Sequence, residues 1–224
     1  MTRTPVLLGD VCEVTPSPSS DLFSELTADG EGTPVVTPAD ISDTRRIDAQ
    51  ALRRLPGDSV GLERFRLRPG DLVLVRLGRV GRVGLVGEDA RDWIYHASCI
   101  RIRPDEEQVD PVYLSSYLAH PPVVDELLSH VHVGTVPMLT AGSLKRLPLV
   151  LPPLHKQRLM AGALGEVSLQ MDVHHRMLAR LDALRQGMFA RMLGDEFPST
   201  ATSRPAGPLL ERRAPRTRRT NRMS

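Results

Sequence analysis

The stretch that decides the fold is residues 155–193, HKQRLMAGALGEVSLQMDVHHRMLARLDALRQGMFARML. Ten positions in it alternate four and three residues apart, and eight of them are apolar; the ten are Met160, Leu164, Val167, Met171, His174, Leu178, Leu181, Arg185, Met188 and Met192. An apolar residue every 3.5 positions, kept for over four heptads, is typical of a helix that packs along another helix. We therefore predict a coiled-coil helix over 154–196, with the eight apolar residues at its interface.

The length of this helix bears on its partner. At about 1.5 Å per residue the helix would be roughly 58 Å long, which is longer than the domain before it is wide. Such a rod is expected to lie against a partner subunit or a second copy of itself. The other interpretation is an ordinary amphipathic helix that folds back on its own domain.

The residues before the helix predict a mixed α/β domain over 1–153. Residues 68–71 read as a turn, and the apolar run 72–77 reads as a strand that ends at Gly78. A second strand is predicted over 93–102, whereas the arginine-rich residues 45–54 have a helix-like pattern. From Pro111 the period becomes helical, which predicts helices over 112–119 and 122–131.

The charge is distributed unevenly along the chain. The net charge is +2, but residues 198–224 carry seven arginines and one glutamate, so the rest of the chain is mildly acidic. Residues 197–224 also offer little to bury and are predicted to form a disordered basic tail. Arginine outnumbers lysine 27 to 2. Arginine suits guanine edges and phosphates, although coding bias would give the same ratio.

The cysteines and the amino-terminal segment bear on the compartment. Cys12 and Cys99 lie far apart and form no CxxC pair, so they read as reduced structural thiols. The opening residues MTRTPVLLGD are too polar for a signal sequence, and no apolar run reaches the ~18 residues that cross a bilayer. We expect a cytoplasmic protein without a membrane partner.

Seven segments occur in the order found in the specificity subunits of type I restriction-modification systems. They are Leu8-Gly9-Asp10-Val11, the run 36–41 (VTPADI), the run 67–73 (LRPGDLV) with Gly78 and Gly81, the run 113–118, Gly134-Thr135, Leu144 with the run 149–153 (LVLPP), and Gln157 with the long helix. Each is weak alone, but together the chain resembles one half-repeat of that family. Lys156 departs from the pattern, because the family usually has an acidic residue before the glutamine.

This resemblance implies an architecture and a set of partners. It implies a mixed α/β target-recognition domain followed by a long coiled-coil helix, without catalysis of its own and without a cofactor. The implied partners are double-stranded DNA, an adenine-N6 methyltransferase subunit and a restriction or translocase subunit. Because the chain holds one unit where complete members hold two, a homodimer through the helix is expected, reading a palindromic split target.

Three sets of residues are candidates for DNA contact. The first set flanks glycine bends, where guanidinium groups reach phosphates or guanine: Arg76, Arg79 and Arg82. The second set is the other arginine cluster: Arg45, Arg46, Arg53 and Arg54. The third set is Thr135 with Lys145. Each set would also be compatible with a solvated surface.

Other functions are weaker interpretations of the same residues. Asp110-Pro111-Val112-Tyr113 resembles the base-binding motif of adenine methyltransferases, but valine stands at its third position. Gly78, Gly81 and Gly84 have GxxGxxG spacing, which is not that of a nucleotide loop. The histidine pairs 130/132 and 174/175 have no partners at metal-ligand spacing. The main alternative is a coiled-coil adaptor that binds no DNA.

Overall fold

A computed structural model describes residues 6–28, 31–48, 52–57, 61–131 and 138–193. The described strands are β1 (Val6–Leu7), β2 (Cys12–Pro16), β3 (Thr33–Val36), β4 (Arg53–Leu55), β5 (Leu72–Val75), β6 (Val83–Leu85), β7 (Ile94–Tyr95), β8 (Cys99–Pro104) and β9 (Pro148–Leu149). The helices are α1 (Leu8–Val11), α2 (Pro111–Leu118), α3 (Pro121–Ser129), α4 (Ala141–Lys145) and α5 (Leu154–Leu193). This is a mixed α/β fold that ends in a long helix.

The main sheet has four antiparallel strands in the order β2-β8-β5-β6. Strands β5 and β6 form a hairpin in which Leu74 pairs with Val83. Its connection contains Gly78 and Gly81 at φ values of 77° and 92°. Glycine adopts a positive φ at a lower conformational energy than residues with a side chain. The predicted strand after the 68–71 turn and its glycine bend are therefore observed.

A second sheet, β4-β3-β7, covers one face of the first. Within it β3 runs parallel to β7, with Val36 beside Tyr95. Strand β5 separates two hydrophobic cores. Leu72 and Leu74 pack in the core that contains residues of helices α2, α3 and α4, whereas Val73 and Val75 pack in the core shared with the second sheet. All four side chains of β5 are inaccessible to solvent. A continuous apolar run is what a strand buried on both faces requires.

Arg101 of β8 is buried although it carries a charge. Its side chain is 3% exposed. It donates to the carbonyl oxygens of Arg64 (2.8 Å) and Arg66 (3.2 Å), to Glu13 Oε1 (2.6 Å) and to Thr15 Oγ1 (2.9 Å). These bonds offset the desolvation of the guanidinium group. They also tie β2 and the 64–66 segment to the centre of the sheet.

The start of α5 is fixed by the buried side chain of Gln157. Its Oε1 accepts from the Asp110 backbone N–H at 3.0 Å, and its Nε2 donates to the carbonyl oxygens of Gln108 (3.0 Å) and Pro152 (2.8 Å). The helix therefore begins at Leu154 without an acidic residue at position 156, because the glutamine amide makes the anchoring contacts.

The chain divides into two compact units, residues 1–176 and 177–224. The predicted boundaries at 153/154 and 196/197 stay predictions, and the predicted disordered tail lies outside the described residues. In the first unit, α5 faces its own domain through small or polar side chains, with Ala161 buried and Ser168 and Asp172 bonded to the 44–46 loop.

The apolar residues predicted for the helix interface are exposed in the single chain. Their exposed fractions are Met160 46%, Leu164 37%, Val167 59%, Met171 44%, Leu178 62%, Leu181 51%, Met188 57% and Met192 82%. Their pairing with another helix stays a prediction. No helix of the described residues is long and apolar enough to span a bilayer.

Two predictions of local structure are wrong. The strand predicted over 93–102 is two strands, because the chain turns at 96–98 and passes from the second sheet to the main sheet. The helix-like stretch over 45–54 is not helical where it is described. It is a tight turn closed by Ser42 and Arg46, followed by strand β4. Two arginine pairs eight positions apart, 45/46 and 53/54, mimicked a helical pattern there without an apolar stripe.

We expect Arg101→Ala to lower the free energy of unfolding by about 3 kcal/mol, because it removes the bonds of a buried guanidinium group to two carbonyl oxygens and leaves a cavity. Urea denaturation measures the change. The matched control is Arg91→Ala, which removes an exposed arginine paired with Glu88, and should change the free energy by less than about 0.5 kcal/mol. Equal effects of the two variants would contradict the structural role of Arg101.

Candidate nucleic-acid interface

A cavity of about 500 Å³ lies where the parallel strands β3 and β7 end. Its lining comes from four segments of the chain and consists of Leu26, the run 37–40, Asp48, Arg53, His96 and Ser98. Because the carboxyl ends of parallel strands meet at one edge of a sheet, the segments that follow β3 and β7 converge there. The sequence separates these groups by up to 72 positions, and the fold brings them together.

His96 is held in one orientation at this cavity. Its Nδ1 accepts from the Ser98 backbone N–H and lies 3.1 Å from Ser98 Oγ, and its ring packs against Phe23 with the ring centroids 4.8 Å apart and the planes tilted by 47°. Its backbone N–H donates to the carbonyl oxygen of Val36 at 2.9 Å. Burial lowers the pKa of His96, and the positive charge of Arg53 lowers it further. The ring is therefore neutral near pH 7, with its proton on Nε2.

Two of the predicted arginines lie near the 96–98 turn. Arg53 is exposed, lines the cavity and acts on the charge of His96. Arg76 donates through Nε to the carbonyl oxygen of Ala97 at 2.9 Å, and its backbone N–H donates to the carbonyl oxygen of Ser98 at 2.8 Å. Among the described residues neither arginine has an ion pair. The first and second predicted sets thus each contribute one arginine to this turn.

Asp40 adds a carboxylate to the cavity. Its Oδ2 accepts from the backbone N–H and the hydroxyl of Thr37, each at 2.7 Å. The same residue receives the Asp48 backbone N–H on its carbonyl oxygen at 2.7 Å. Both of these side-chain bonds fall on Oδ2. The cavity therefore offers acceptors beside the donors of Arg53 and His96.

The β5–β6 hairpin presents Arg79 and retains Arg82. Arg79 is exposed between the two glycine bends. Arg82 is 24% exposed and donates to the carbonyl oxygen of Ile41 and to Asp43 Oδ1, the latter at 3.0 Å. Arg82 thus has partners inside the protein, whereas Arg79 faces solvent.

Arg45 and Arg46 contact the long helix. Arg45 Nη2 donates to Ser168 Oγ at 2.7 Å, and Arg46 Nε lies 3.3 Å from Asp172 Oδ2. The hydroxyl of Thr44, which is buried, also donates to Asp172. On its other side the same loop receives the Leu85 backbone N–H of β6 on the Arg45 carbonyl oxygen. The 44–46 loop therefore links the main sheet to α5.

The remaining predicted residues are dispersed. Arg54 donates to the carbonyl oxygen of Gly32 at 3.1 Å beside β3. Lys145 is exposed at the end of α4, against Gly9 of α1. Thr135 lies outside the described residues. DNA contact stays a prediction for every residue of the three sets.

Sequence reasoning missed the polar groups of the cavity, which are His96, Asp40 and Asp48. The signal lay in the run Tyr95-His96-Ala97-Ser98, whose polar residues interrupt the apolar pattern of the predicted strand. Its meaning depends on the pairing of β3 with β7, which joins segments about 60 residues apart and is invisible to local patterns.

A family model described as "Type I restriction modification DNA specificity domain" matches residues 4–183 of the chain. The chain belongs to this family. No curated protein sequence gives a significant match. The family assignment agrees with the resemblance found in the ordered segments of the sequence.

Solved structures of the family share the fold. A chain from a study of complex assembly and conformational transition of the type I R-M system is 21% identical, with a TM-score of 0.56. The HsdS subunit from Thermoanaerobacter tengcongensis is 22% identical (TM-score 0.54), and the type I S subunit from M. genitalium is 12% identical (TM-score 0.54). Each match covers 82% of this chain, but only 42%, 43% and 44% of the respective structure. At these identities the likeness shows the fold.

We expect Asp172→Ala to lower the free energy of unfolding by about 1–3 kcal/mol, because the buried hydroxyl of Thr44 and the guanidinium of Arg46 lose their acceptor. Chemical denaturation measures the change. Asp182→Ala is the matched control, since Asp182 bonds to exposed Arg185 and to Gln186 within the same helix. An Asp172 variant as stable as the control would show that the 44–46 loop does not hold α5.

Proposed function

We propose that this chain is a non-catalytic specificity subunit that reads a DNA sequence and directs an adenine-N6 methyltransferase to it. The observation that carries the proposal is the convergence of Arg53 and Arg76 on the 96–98 turn, beside a polar cavity. Guanidinium groups held at a rigid turn suit both phosphate contact and base-edge readout. Membership of the specificity family supports the same function.

The arginines divide into two roles in this proposal. Arg53, Arg76 and Arg79 contact DNA, because their charges are not neutralised by described carboxylates. Arg45, Arg46 and Arg82 position the 41–46 loop between the hairpin and α5. A mildly acidic domain attracts duplex weakly as a whole, so a few exposed arginines at one edge must supply the local positive potential.

The proposed site of assembly is the row of exposed apolar residues along α5, called the seam below: Met160, Leu164, Val167, Met171, Leu178, Leu181, Met188 and Met192. Contiguous apolar side chains in water are unfavourable, and a second helix of the same pattern would cover them. We propose that two copies pair through this seam, which would bring together two recognition domains for a split symmetric target. The methyltransferase, and a restriction or translocase subunit, would then dock on the assembled dimer.

A second candidate function is favoured by the same seam. A coiled-coil adaptor would use the exposed apolar residues of α5 to join other subunits and would have no affinity for DNA. Salt dependence separates the two functions, since affinity for a polyanion falls steeply as salt rises.

We expect the full-length chain to enrich a defined duplex from a randomised library, with log K falling linearly against log salt concentration. Arg79→Ala should weaken binding to all duplexes alike and reduce that slope by about 1, because one phosphate contact is lost. Fluorescence anisotropy at several salt concentrations measures both quantities.

The control is Arg91→Ala, which removes an exposed arginine that is already paired with Glu88. It should leave the slope unchanged. If Arg79→Ala binds as tightly as the unaltered chain, the hairpin is not part of the interface. If the unaltered chain binds no duplex at any salt concentration, the adaptor function replaces the proposal.

We expect the chain to sediment as a dimer at micromolar concentration, and the double variant Met171→Glu with Leu178→Glu to sediment as a monomer. Two carboxylates placed in an apolar seam lose their hydration on pairing and repel their copies. Val173→Glu is the control, because Val173 is equally exposed but lies outside the seam. Dissociation by the control as strongly as by the double variant would argue against pairing through the seam.

A further inference from the structure

A second cavity, of about 370 Å³, lies where the 44–46 loop meets helix α5, and we call it the α5 cavity. Its lining comes from residues 44–47, residues 85–90, helix α2 and residues 165–172 of α5. All of these residues belong to the first compact unit. Because small-molecule sites commonly enclose roughly 300–1,000 Å³, the α5 cavity has room for an organic ligand.

Arg45 places a positive charge at the α5 cavity. Its Nη2 donates to Ser168 Oγ at 2.7 Å, and both residues line the cavity, so the guanidinium group lies where the loop meets the helix. Burial lowers the pKa of Arg45, but a guanidinium group stays charged near pH 7. Among the described residues no carboxylate pairs with it, because Asp172 is paired with Arg46 and Asp89 is exposed to solvent. A partly desolvated cation without a counter-charge favours an anionic ligand.

Ser115 of α2 adds a hydroxyl group that lacks a partner. The residue lines the α5 cavity and is 3% exposed, yet its hydroxyl forms no hydrogen bond with the rest of the described chain. Buried hydroxyl groups normally have a partner, because an unpaired one has lost its hydration without compensation. An oxygen acceptor in the cavity would receive this hydroxyl. Arg45 and Ser115 therefore favour the same ligand group, an anion that accepts hydrogen bonds through oxygen.

Apolar side chains form much of the remaining wall of the α5 cavity. They belong to Ile47, Leu85, Ala90, Val112 and Leu169. A bare inorganic ion would leave these side chains in contact with water, whereas a hydrocarbon group would cover them. The ligand that fits is therefore an anion with an apolar body.

We propose that the α5 cavity binds a small organic carboxylate, with Arg45 holding its two oxygens and the apolar walls covering its body. A carboxylate fits because the planar guanidinium group matches its two oxygens. It also carries one negative charge, which one arginine balances, whereas a phosphate monoester carries about 1.5 to 2 near pH 7. The inference goes beyond the proposed function, since the binding requires neither DNA nor a second copy of the chain.

The closing experiment titrates the full-length chain with hexanoate, acetate and hexanol and follows the binding by NMR. Hexanoate should saturate one site and bind more tightly than acetate, by about fourfold for each CH₂ group that the walls bury. It should also bind more tightly than hexanol, which has the same body without the charge. Hexanoate that fails to bind, or that binds no more tightly than acetate or hexanol, overturns the inference.

Two glycines of α5 provide a matched pair of variants. A Cβ placed at Gly165, which lines the cavity, or at Gly162, which is outside the lining, would meet no neighbouring atom within 4 Å. Leucine favours a helix more than glycine does, so both Gly165→Leu and Gly162→Leu should fold. Gly165→Leu should block hexanoate, because its side chain occupies the cavity, and Gly162→Leu should bind hexanoate as the unaltered chain does. Equal hexanoate affinities of the two variants would overturn the proposed site.

Variants of Arg45 and Ser115 separate binding from folding. Arg45→Gly removes the guanidinium group and suits the φ of 65° at this position. It should weaken hexanoate binding by about tenfold or more and leave hexanol binding unchanged, because only the anion uses the charge. Ser115→Ala should weaken hexanoate binding about tenfold without lowering the urea midpoint of unfolding, since no bond within the protein is lost. Equal losses of hexanoate and hexanol binding in Arg45→Gly would mean that the arginine only shapes the cavity, which contradicts the inference.

Discussion

The burial of β5 on both faces is the constraint on which the rest of the structure depends. Leu72 and Leu74 point to the core under the helices, and Val73 and Val75 point to the core shared with the second sheet. Antiparallel pairing then fixes the neighbours, and Val75 lies opposite Cys99. The hairpin that follows Val75 and the 96–98 turn that precedes Cys99 must therefore emerge at the same end of the sheet. The convergence of Arg76 on that turn is a consequence of this register, and a slip by one residue would reverse every side chain.

The elements that the sequence predicts well are those that local chemistry specifies. The β5–β6 hairpin follows from an apolar run bounded by two glycines at positive φ. Helix α2 follows from a proline at its first turn after Asp110, whose side chain accepts from the Tyr113 backbone N–H. The long helix follows from its heptad period. In each case the deciding residues are within one or two turns of one another, so no knowledge of the tertiary structure is needed.

The elements that the sequence does not predict depend on pairing over long distances. Alternation of isoleucine and arginine in β8 predicts one apolar and one solvated face, yet Arg101 is buried because a second layer covers that face. The arginines of residues 45–54 look alike in sequence. Arg53 lines a cavity, whereas Arg46 binds Asp172, 126 positions away. Only the folded structure distinguishes an arginine that is paired within the protein, such as Arg46, from one that lines a cavity without a described ion pair, such as Arg53.

The anchoring of α5 by Gln157 determines where the domain could be joined to another helix in a chimera. The amide of Gln157 bonds to residues 108, 110 and 152, and the helix is held again at Ser168 and Asp172. A chimera joined at residue 153 would separate each of these groups from its partner and leave buried amide and hydroxyl groups unsatisfied. A graft that carries the native helix past Asp172 moves the whole joint as one piece. The unit to transfer is thus the α/β domain together with the first five turns of α5.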